Sequence, residues 1–481
     1  MPVTAINDTT VLVVDLDGTL VLGDTLDESL AGALKRMPHL IFVLPFWLLR
    51  GRAYFKRQIA RYCLPDPSCL PYHPEIFDFI KQQRARGREI VLATAADRGI
   101  AESVARHTKL FDHVIASDGV TNQSGSCKLA SIKQHVGARS FGYVGNSVAD
   151  IPIWREAEQI WVAARGDKVI AAIRRAGLTP DQIFPVPAVS LSTVAKLLRP
   201  HQWSKNLLLF VSLTLAHLLG NIPLLVSVMK GFVAFSLCAS SAYIINDICD
   251  IEVDRQHPKK RGRALASGLF SLRHAALLGV LLLVLSVCLA SMMNRHFAIL
   301  LLGYFVATLN YSLWIKKIVL VDVVTLSLLY TVRIIAGSAA IGIRTTSWLM
   351  GFSIFIFLSL ALAKRYSELH RIQLGDSDNG VAAGRGYLTD DIEQLAIFGG
   401  ASGYISVLVL ALYVNSPEVA HLYRDIRVMW LVCPLLIYWI SRIWLFARRG
   451  KLDEDPVVFT LKDRVSYLIG VLIVGLLVIA L

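Results

Sequence analysis

The sequence is poor in cysteine and in charge, and each shortage excludes a class of protein. Its 481 residues include seven cysteines, an odd number, and Cys238, Cys288 and Cys433 lie in apolar runs. This excludes a secreted disulfide scaffold. Only 18% of the residues are charged and 54% are hydrophobic, which excludes a disordered chain. The opening lacks the pattern of a cleavable signal peptide, so we expect the N-terminal half to stay in the cytosol.

Apolar residues and positive charge are concentrated in the second half of the chain. Residues 1–195 contain 22 basic and 19 acidic residues, whereas residues 196–481 contain 27 and 17. The second half also holds apolar stretches long enough to cross a bilayer. The basic residues lie in loops beside these stretches, which favours anionic lipid and phosphorylated substrates over nucleic acid. We therefore predict a soluble domain over residues 1–184, a linker with a basic interfacial helix over 185–203, and a membrane domain over 204–481.

Polar residues follow three predicted strands of the first half. Val11–Val14 ends at Asp15 and Asp17, residues 89–93 end at Thr94, and residues 141–144 precede Asn146 and Asp150. Lys128 lies between the last two strands, with Lys133 as a rival for its role. Helical stretches alternate with the strands, so we predict a parallel sheet whose carboxyl ends bring these groups together.

This set, with the sequence DLDGT at residues 15–19, resembles the haloacid dehalogenase superfamily of phosphatases over roughly residues 8–180. The resemblance implies an α/β Rossmannoid domain with a helical cap. It also implies Asp15 as nucleophile, Asp17 as general acid/base, Thr94 and Lys128 as ligands of the phosphoryl oxygens, and Mg²⁺ held by Asp150 with Asp15 and Asp17. Asn146 stands where such families often have an acidic residue, which implies weaker metal binding.

The segment between the first two motifs, residues 21–88, is long enough to form that cap. Within it, residues 40–49 read LIFVLPFWLL, which is too short to span a bilayer. The run is either the buried face of the cap or a surface that dips into the lipid interface.

The second half is predicted to be all-α, with nine membrane spans. They cover approximately residues 205–220, 225–246, 273–291, 296–314, 319–340, 346–363, 396–414, 428–446 and 464–481. Loops on the side of the soluble domain carry 17 Lys and Arg residues, and the opposite side carries five. This asymmetry predicts a multi-pass protein of the cell (inner) membrane, with the soluble domain and the active sites on the cytoplasmic side.

An acidic motif lies at the cytosolic end of the second span. On a continuous helix, Asp247, Asp250 and Asp254 fall within about 60° of one another and Glu252 points away. Three carboxylates on one face repel unless cations neutralise them, and Mg²⁺ carrying a diphosphate is the simplest answer. The next loop supplies cations for further phosphates at Lys259, Lys260, Arg261 and Arg263.

The motif NDxxDxxxD with its basic loop resembles the UbiA superfamily of intramembrane prenyltransferases. Those enzymes normally carry a second aspartate-rich motif after the sixth span, where this chain reads KRYSELH at residues 364–370. One carboxylate remains and two cations have appeared, which favours a more highly charged substrate. The motifs LRPHQWSKN at 198–206, RxxAG at 333–337 and KRYxELH are similar to the decaprenyl-phosphate phosphoribosyltransferase branch.

That resemblance implies transfer of 5-phosphoribosyl from phosphoribosyl pyrophosphate to a polyprenyl phosphate. It implies Mg²⁺-diphosphate binding by Asn246, Asp247, Asp250 and Asp254. Candidates for the remaining phosphates are Lys205, Lys260, Arg261, Arg263, Lys364 and Arg365. Tyr366 and Glu368 are candidates for holding ribose hydroxyls or a second metal. Asp322 and Arg333 lie inside the fifth span, where charge is costly and typically functional. The expected partners are the polyprenyl phosphate lipid, phosphoribosyl pyrophosphate, the lipid bilayer and a possible second copy, with no nucleic acid.

The two halves fit one reaction sequence. The implied product of the membrane domain is a phosphomonoester, and the first domain resembles enzymes that hydrolyse phosphomonoesters. One alternative is a prenyltransferase acting on an aromatic or other small acceptor. Another is a catalytically inactive first domain with a regulatory or scaffolding role.

Overall fold

The chain divides into two compact units. The computed structural model describes residues 10–258, 260–376, 386–417, 423, 425–452, 456–460 and 462–480. The first unit comprises Met1–Leu197 together with Asp247–Leu278, and the second comprises Leu198–Asn246 together with Gly279–Leu481. The first unit therefore includes residues 247–278, here called the acidic segment, which carry the aspartates predicted to bind metal.

The predicted parallel sheet is confirmed. In the described residues it has six strands in the order β3-β2-β1-β4-β5-β6, and each neighbouring pair is parallel. The strands are β1 (Val11–Val14), β2 (Ile90–Asp97), β3 (His113–Ser117), β4 (Phe141–Gly145), β5 (Gln159–Ala164) and β6 (Gln182–Pro185). β2 continues three residues beyond Thr94, where the sequence predicted it to end.

Both faces of the sheet are covered, as the continuous apolar run of β1 predicts. Leu12 and Val14 belong to one core cluster, and Val11 and Val13 belong to the other. The helices that connect the strands after β2 are Arg98–Thr108, Ser126–Val136, Ile151–Trp154 and Asp167–Arg175, with a short 3₁₀ turn at Val148–Asp150. The α/β class and the helical crossovers therefore agree with the prediction.

A helical insertion connects β1 to β2. Its elements are Thr25–Arg36, the 3₁₀ turn Pro38–Phe42, Leu44–Leu49, Arg52–Tyr62, the 3₁₀ turn Pro67–Cys69, and Pro74–Ala85. Helix Leu44–Leu49 has no buried residue, and in residues 40–49 only Leu40 is buried. Of the two alternatives for the run LIFVLPFWLL, a buried cap face is therefore wrong.

The second unit is built from long apolar helices. Among the described residues, seven are long and apolar enough to cross a membrane: Ile222–Cys249, Leu272–Ser291, Arg295–Leu313, Val321–Ala340, Ser347–Leu374, Thr389–Val414 and Ile426–Arg448. Two of these helices, Ile222–Cys249 and Leu272–Ser291, contribute residues to both units. These apolar helices identify the chain as a multi-pass membrane protein.

Nine spans are not confirmed. The predicted first span, residues 205–220, is a 3₁₀ helix over Pro200–Leu209 followed by the six-residue helix Phe210–Leu215. The predicted ninth is the 17-residue helix Arg464–Ala480, and residue 481 lies outside the described residues. Three of the apolar spans include more than one element: Ile372–Asp376 follows helix Ser347–Arg371, Thr389–Asp391 precedes Ile392–Val414, and Ile426–Met429 precedes Val432–Arg448. The remaining short elements are Leu191–Leu198, Ile251–Gln256, Ile315–Lys317 and Pro456–Thr460.

Candidate functional site

The first candidate site lies at the carboxyl end of β1. Asp15 and Asp17 follow the strand, and Gly18 turns the chain with φ +70°. Glycine is favoured at this positive φ, and the position lies against the side chain of Asn146, whose Nδ2 would be 2.0 Å from an added Cβ. The Asp17 carboxylate accepts a hydrogen bond of 2.7 Å from the backbone N–H of Thr25.

Lys128 reaches two of the three predicted carboxylates of this site. It is buried on helix Ser126–Val136, and its Nζ donates to Asp15 Oδ1 at 2.9 Å. The same Nζ lies 3.9 Å from Asp150 Oδ1. Lys133, the rival from the sequence, instead pairs with Glu156 on the surface at 3.0 Å. The structure therefore places Lys128, and not its rival Lys133, beside the carboxylates that follow β1 and β4.

Asp150 is held in place by its own turn and by a tyrosine. Its Oδ2 accepts from the backbone N–H of Ser147 at 3.0 Å, and its Oδ1 accepts from the hydroxyl of Tyr143 at 3.1 Å. Lys128 also donates to that hydroxyl, at 3.1 Å. Tyr143 was missed by the sequence analysis because a tyrosine inside a buried strand is typical of a core residue.

The carboxylates are more numerous than the buried cations can neutralise. Burial, with the charges of Asp24 and Asp15, raises the pKa of Asp17 to about 7. Burial, with the charge of Asp15, raises the pKa of Asp150 to about 6. Burial alone would lower the pKa of Lys128, but Asp15 and Asp150 outweigh it and raise that pKa. Such a donor set fits a hard divalent cation such as Mg²⁺, which prefers a few carboxylate oxygens.

Thr94 and a second lysine lie beside this edge of the sheet. Thr94 is fully buried in β2, and its hydroxyl accepts from the backbone N–H of Ala96 at 3.0 Å. Lys56, on helix Arg52–Tyr62, donates to the carbonyl of Ala95 at 2.6 Å and to Asn122 Oδ1 at 3.0 Å. Burial lowers the pKa of Lys56, against the charges of Asp17 and Asp24, which raise it. Sequence analysis missed Lys56 because a single lysine on a basic helix carries no motif.

The second candidate site is the acidic segment. Helix Ile222–Cys249 ends one residue before Asp250, which is the N-cap of the short helix Ile251–Gln256 with φ −100° and ψ 11°. The expectation of one continuous helix through the motif is therefore wrong. Asp247 and Asp254 are buried, while Glu252 is exposed, as predicted.

One arginine bridges the two buried aspartates of the acidic segment. Arg263 Nη1 lies 2.6 Å from Asp254 Oδ2 and 3.4 Å from Asp247 Oδ1. Lys260 Nζ is 4.0 Å from Asp254 Oδ1, and Arg261 is exposed. Asp250 is half-buried, and Lys259 lies outside the described residues. The structure thus brings Asp247, Asp254, Lys260 and Arg263 together.

A third polar cluster lies in the second unit. Arg365 is buried, and its Nε donates to Asp322 Oδ2 at 2.6 Å, its Nη1 to Glu368 Oε2 at 2.5 Å and its Nη2 to the Tyr311 hydroxyl at 3.0 Å. Tyr387 also donates to Asp322. The charge of Asp322 is thus met by Arg365, 43 residues away, and the guanidinium of Arg365 is shared between two carboxylates.

Arg333 lies in a separate cluster of the same unit. Its Nε donates to Asn206 Oδ1 at 3.0 Å, and its Nη2 donates to the Tyr304 hydroxyl at 2.8 Å. Lys205, next in sequence to Asn206, lies 5.6 Å above the ring of Tyr330. These contacts explain how a charged residue is tolerated inside an apolar helix.

The remaining predicted residues are less closely associated with these clusters. Tyr366 is buried and stacks on His370, with ring centroids 5.8 Å apart. Lys364 and Asn246 are half-buried. Apart from the clusters above, Glu89, His113 and His135 place possible metal-ligating atoms near one another at the opposite edge of the sheet. Glu89 is already paired there with Arg139, which accounts for this group as an ion-pair network.

Family models match both parts of the chain. The UbiA prenyltransferase family matches residues 207–469, and the haloacid dehalogenase-like hydrolase family matches residues 12–155. Together with the seven apolar helices, these matches define a multi-pass membrane transferase. The chain belongs to the UbiA prenyltransferase family and carries an N-terminal haloacid dehalogenase-like domain, as the sequence motifs predict.

Three relatives show how far the similarity extends. The uncharacterized protein y4nM of Sinorhizobium fredii is 36% identical over 98% of this chain and 91% of its own length. The nodulation protein NoeC of Azorhizobium caulinodans is 32% identical over 57% of this chain and 89% of its own. A decaprenyl-phosphate phosphoribosyltransferase of Mycobacterium tuberculosis is 35% identical over 40% of this chain and 65% of its own.

The two lysines of helix Ser126–Val136 provide a matched test of the first site. We expect Lys128→Met to lower Mg²⁺-dependent hydrolysis of a small phosphomonoester by about 100-fold or more, because the buried cation beside Asp15 and Asp150 is lost. Lys133→Met, which removes a lysine from the surface of the same helix, should stay near the wild-type rate. Hydrolysis is measured as phosphate release by the purified full chain. Equal rates for the two variants would contradict the assignment of Lys128.

Proposed function

We propose that the chain transfers the 5-phosphoribosyl group of phosphoribosyl pyrophosphate to a polyprenyl phosphate. The observation that carries the proposal is the pair of buried carboxylates, Asp247 and Asp254, within reach of the single guanidinium of Arg263. Such a pair is suited to bind Mg²⁺ with a diphosphate, while the arginine turns to a phosphate oxygen. The similarity to the mycobacterial phosphoribosyltransferase supports this donor.

In this reaction the bond between ribose C1 and the diphosphate oxygen breaks, and an oxygen of the polyprenyl phosphate forms a new bond to C1. Diphosphate leaves with the bonding electrons, so the products are diphosphate and a lipid-linked ribose 5-phosphate. Bound Mg²⁺ would neutralise the negative charge that grows on the leaving diphosphate. We assign Asp247, Asp250 and Asp254, with Asn246, to this metal-diphosphate group.

Other cations are assigned to the phosphates that stay with the product. Lys260, Arg261 and Arg263 follow the aspartates in the acidic segment. In the second unit we assign Lys205, Arg333 and Lys364 to the 5-phosphate and the lipid phosphate. Arg365 has its charge shared between Asp322 and Glu368, so we assign it to orienting Glu368, which with Tyr366 is suited to hold ribose hydroxyls. The phosphates that stay with the product need cations to bind them. This need is our explanation for Lys364 and Arg365 at the place where UbiA enzymes normally carry a second aspartate-rich motif.

We further propose that the haloacid dehalogenase-like domain removes the 5-phosphate. A carboxylate oxygen of Asp15 attacks phosphorus, and the ribose 5-oxygen leaves with a proton from Asp17, whose raised pKa suits a general acid. Water then hydrolyses the acyl phosphate and releases inorganic phosphate. Lys128 and Thr94 are assigned to the phosphoryl oxygens. Covalent linkage of the two activities raises the effective concentration of the intermediate.

We place both activities at the cytoplasmic side of the inner membrane, as the distribution of basic loops favours. The polyprenyl phosphate would reach the transferase from the bilayer, and phosphoribosyl pyrophosphate from the aqueous side.

Neighbouring residues of the acidic segment provide the test of the transferase. We expect Asp254→Asn to lower incorporation of labelled phosphoribosyl pyrophosphate into lipid by about 100-fold or more, because a ligand of the metal-diphosphate is lost. Glu252→Gln removes an exposed carboxylate two residues away and should stay near the wild-type rate. Incorporation is measured in membranes supplied with Mg²⁺ and polyprenyl phosphate. Labelling from a prenyl diphosphate, without need of phosphoribosyl pyrophosphate, would support a prenyltransferase and contradict the proposal.

Mass spectrometry of the lipid product tests the role of the first domain. Asp15→Asn removes the nucleophile, so we expect the lipid-linked ribose to retain its 5-phosphate, a mass difference of one phosphate from the wild-type product. Lys133→Met again serves as the control and should give the wild-type product. Fully dephosphorylated product from Asp15→Asn would rule out this role and favour a regulatory domain.

A further inference from the structure

The acidic segment is bound to helix Thr25–Arg36 by a buried ion pair. Within the first unit, Arg255 donates to Glu28 through two parallel hydrogen bonds, Nη1 to Oε2 at 3.1 Å and Nη2 to Oε1 at 2.6 Å. The two side chains are only 7% and 5% exposed. A bidentate arginine–carboxylate pair fixes direction as well as distance. Because Arg255 follows Asp254, this pair fixes the backbone next to an aspartate assigned to the metal.

Further contacts join the same two parts of the first unit. Arg273 Nη2 donates to Asp27 Oδ1 at 2.8 Å and to Asp24 Oδ2 at 3.1 Å, and Lys35 donates to the carbonyl of Cys249. At Gly268, a Cβ would stand 2.9 Å from Pro71, so the backbone of the acidic segment lies directly against the insertion between β1 and β2.

The acidic segment needs such support. Helix Ile251–Gln256 has six residues, and an isolated helix of this length is unstable in water. Its position must therefore come from tertiary contacts, and Arg255 supplies the most deeply buried polar one. Helix Thr25–Arg36 is itself fixed at its first residue, where the N–H of Thr25 donates to Asp17.

We propose that Glu28 is a positioning residue for the transferase reaction. Through Arg255 it holds helix Ile251–Gln256 so that the carboxylate of Asp254 stays beside Asp247 and Arg263. The haloacid dehalogenase-like domain thus has a scaffolding role in addition to hydrolysis. The identity of the ligand held by Asp254 rests on the proposed function, whereas the positioning of the acidic segment does not.

Hydrogen exchange of the full chain, without substrates, tests the positioning directly. We expect Glu28→Gln to accelerate amide exchange in residues 250–268 by about tenfold or more, because Arg255 loses its charged partner and the segment opens locally. Exchange in the sheet should be unchanged. Glu156→Gln, which removes a surface ion pair with Lys133, is the matched control and should leave both regions as in the wild type.

Kinetics separate positioning from a general loss of structure. Glu28→Gln should raise the Mg²⁺ concentration needed for half-maximal transfer by about tenfold and leave phosphomonoester hydrolysis within about twofold of wild type. Glu28→Arg combined with Arg255→Glu should restore part of the transfer. Unchanged exchange in residues 250–268 would overturn the proposal, and so would a parallel fall of both activities. If phosphoribosyl pyrophosphate proves not to be the donor, faster hydrogen exchange in residues 250–268 of Glu28→Gln would still support the positioning role.

A second inference comes from a different surface, the run LIFVLPFWLL. Its exposed side chains include Ile41, Phe42, Phe46, Leu48 and Leu49, and Phe42 and Leu49 are 76% and 85% exposed. Leu40 is buried with Ala33 and Cys63, which fixes the run to the rest of the insertion. A contiguous exposed apolar group of this kind marks an interaction surface.

The charge of the residues around the run LIFVLPFWLL indicates which partner it binds. Residues 29–65 contain seven Lys and Arg and no Asp or Glu. Of these, Arg36, Arg50, Arg52 and Arg61 are exposed. Aromatic and leucine side chains flanked by arginines are typical of segments that lie in the interface of an anionic bilayer. We infer that residues 37–52 insert into the surface of an anionic lipid bilayer, the environment that the membrane helices of this chain already require.

Quenching by brominated lipid tests this contact in the full chain reconstituted in nanodiscs. An environment-sensitive fluorescent amino acid is placed at Phe46, and for control at Val120, an apolar residue of the same unit that is 90% exposed. We expect strong quenching at position 46 only, and stronger quenching with anionic than with zwitterionic lipid. Equal quenching at the two positions would overturn the inference. So would shielding of position 46 by a second copy of the chain in detergent.

Discussion

Buried carboxylates of this chain are grouped in pairs around lysine or arginine side chains, and this pairing governs each of its polar clusters. A buried carboxylate without a counter-charge is strongly unfavourable, so each must find a cation or bind a proton. Lys128 lies between Asp15 and Asp150, Arg263 between Asp247 and Asp254, and Arg365 between Asp322 and Glu368. Each of these three cations contacts two carboxylates, and in the acidic segment Lys260 adds a further cation 4.0 Å from Asp254 Oδ1.

The grouping of carboxylates around cations bears on the chemistry of each cluster. In the phosphatase-like site the excess charge appears in the raised pKa values of Asp17 and Asp150. In the acidic segment the aspartates are proposed to bind Mg²⁺ and diphosphate, and in the third cluster Arg365 is proposed to orient Glu368 towards ribose hydroxyls. Helix Thr25–Arg36 contacts both the phosphatase-like site and the acidic segment, because the N–H of Thr25 donates to Asp17 and Glu28 binds Arg255.

The sequence predicted those features that depend on local pattern. The apolar run of β1 and the polar residues after it predicted a parallel sheet with Asp15 and Asp17 at its edge. Sequence favoured Lys128 but left Lys133 as a rival, because the position of each lysine depends on which face of helix Ser126–Val136 meets β1. It also placed Asp250 inside a continuous helix, since carboxylate spacing alone does not reveal an N-cap. The partners of Asp322 and Glu28 lie 43 and 227 residues away, so only the folded chain identifies them.

In the proposed transferase reaction, Asp247 and Asp254 exchange their arginine for a metal carrying diphosphate. Anomalous diffraction from crystals of the full chain grown with Mn²⁺ and phosphoribosyl pyrophosphate tests this exchange. We predict a manganese peak bound by oxygens of both aspartates, with the guanidinium of Arg263 turned to a phosphate oxygen. A metal bound elsewhere, with both aspartates still on Arg263 in the presence of the donor, would contradict it.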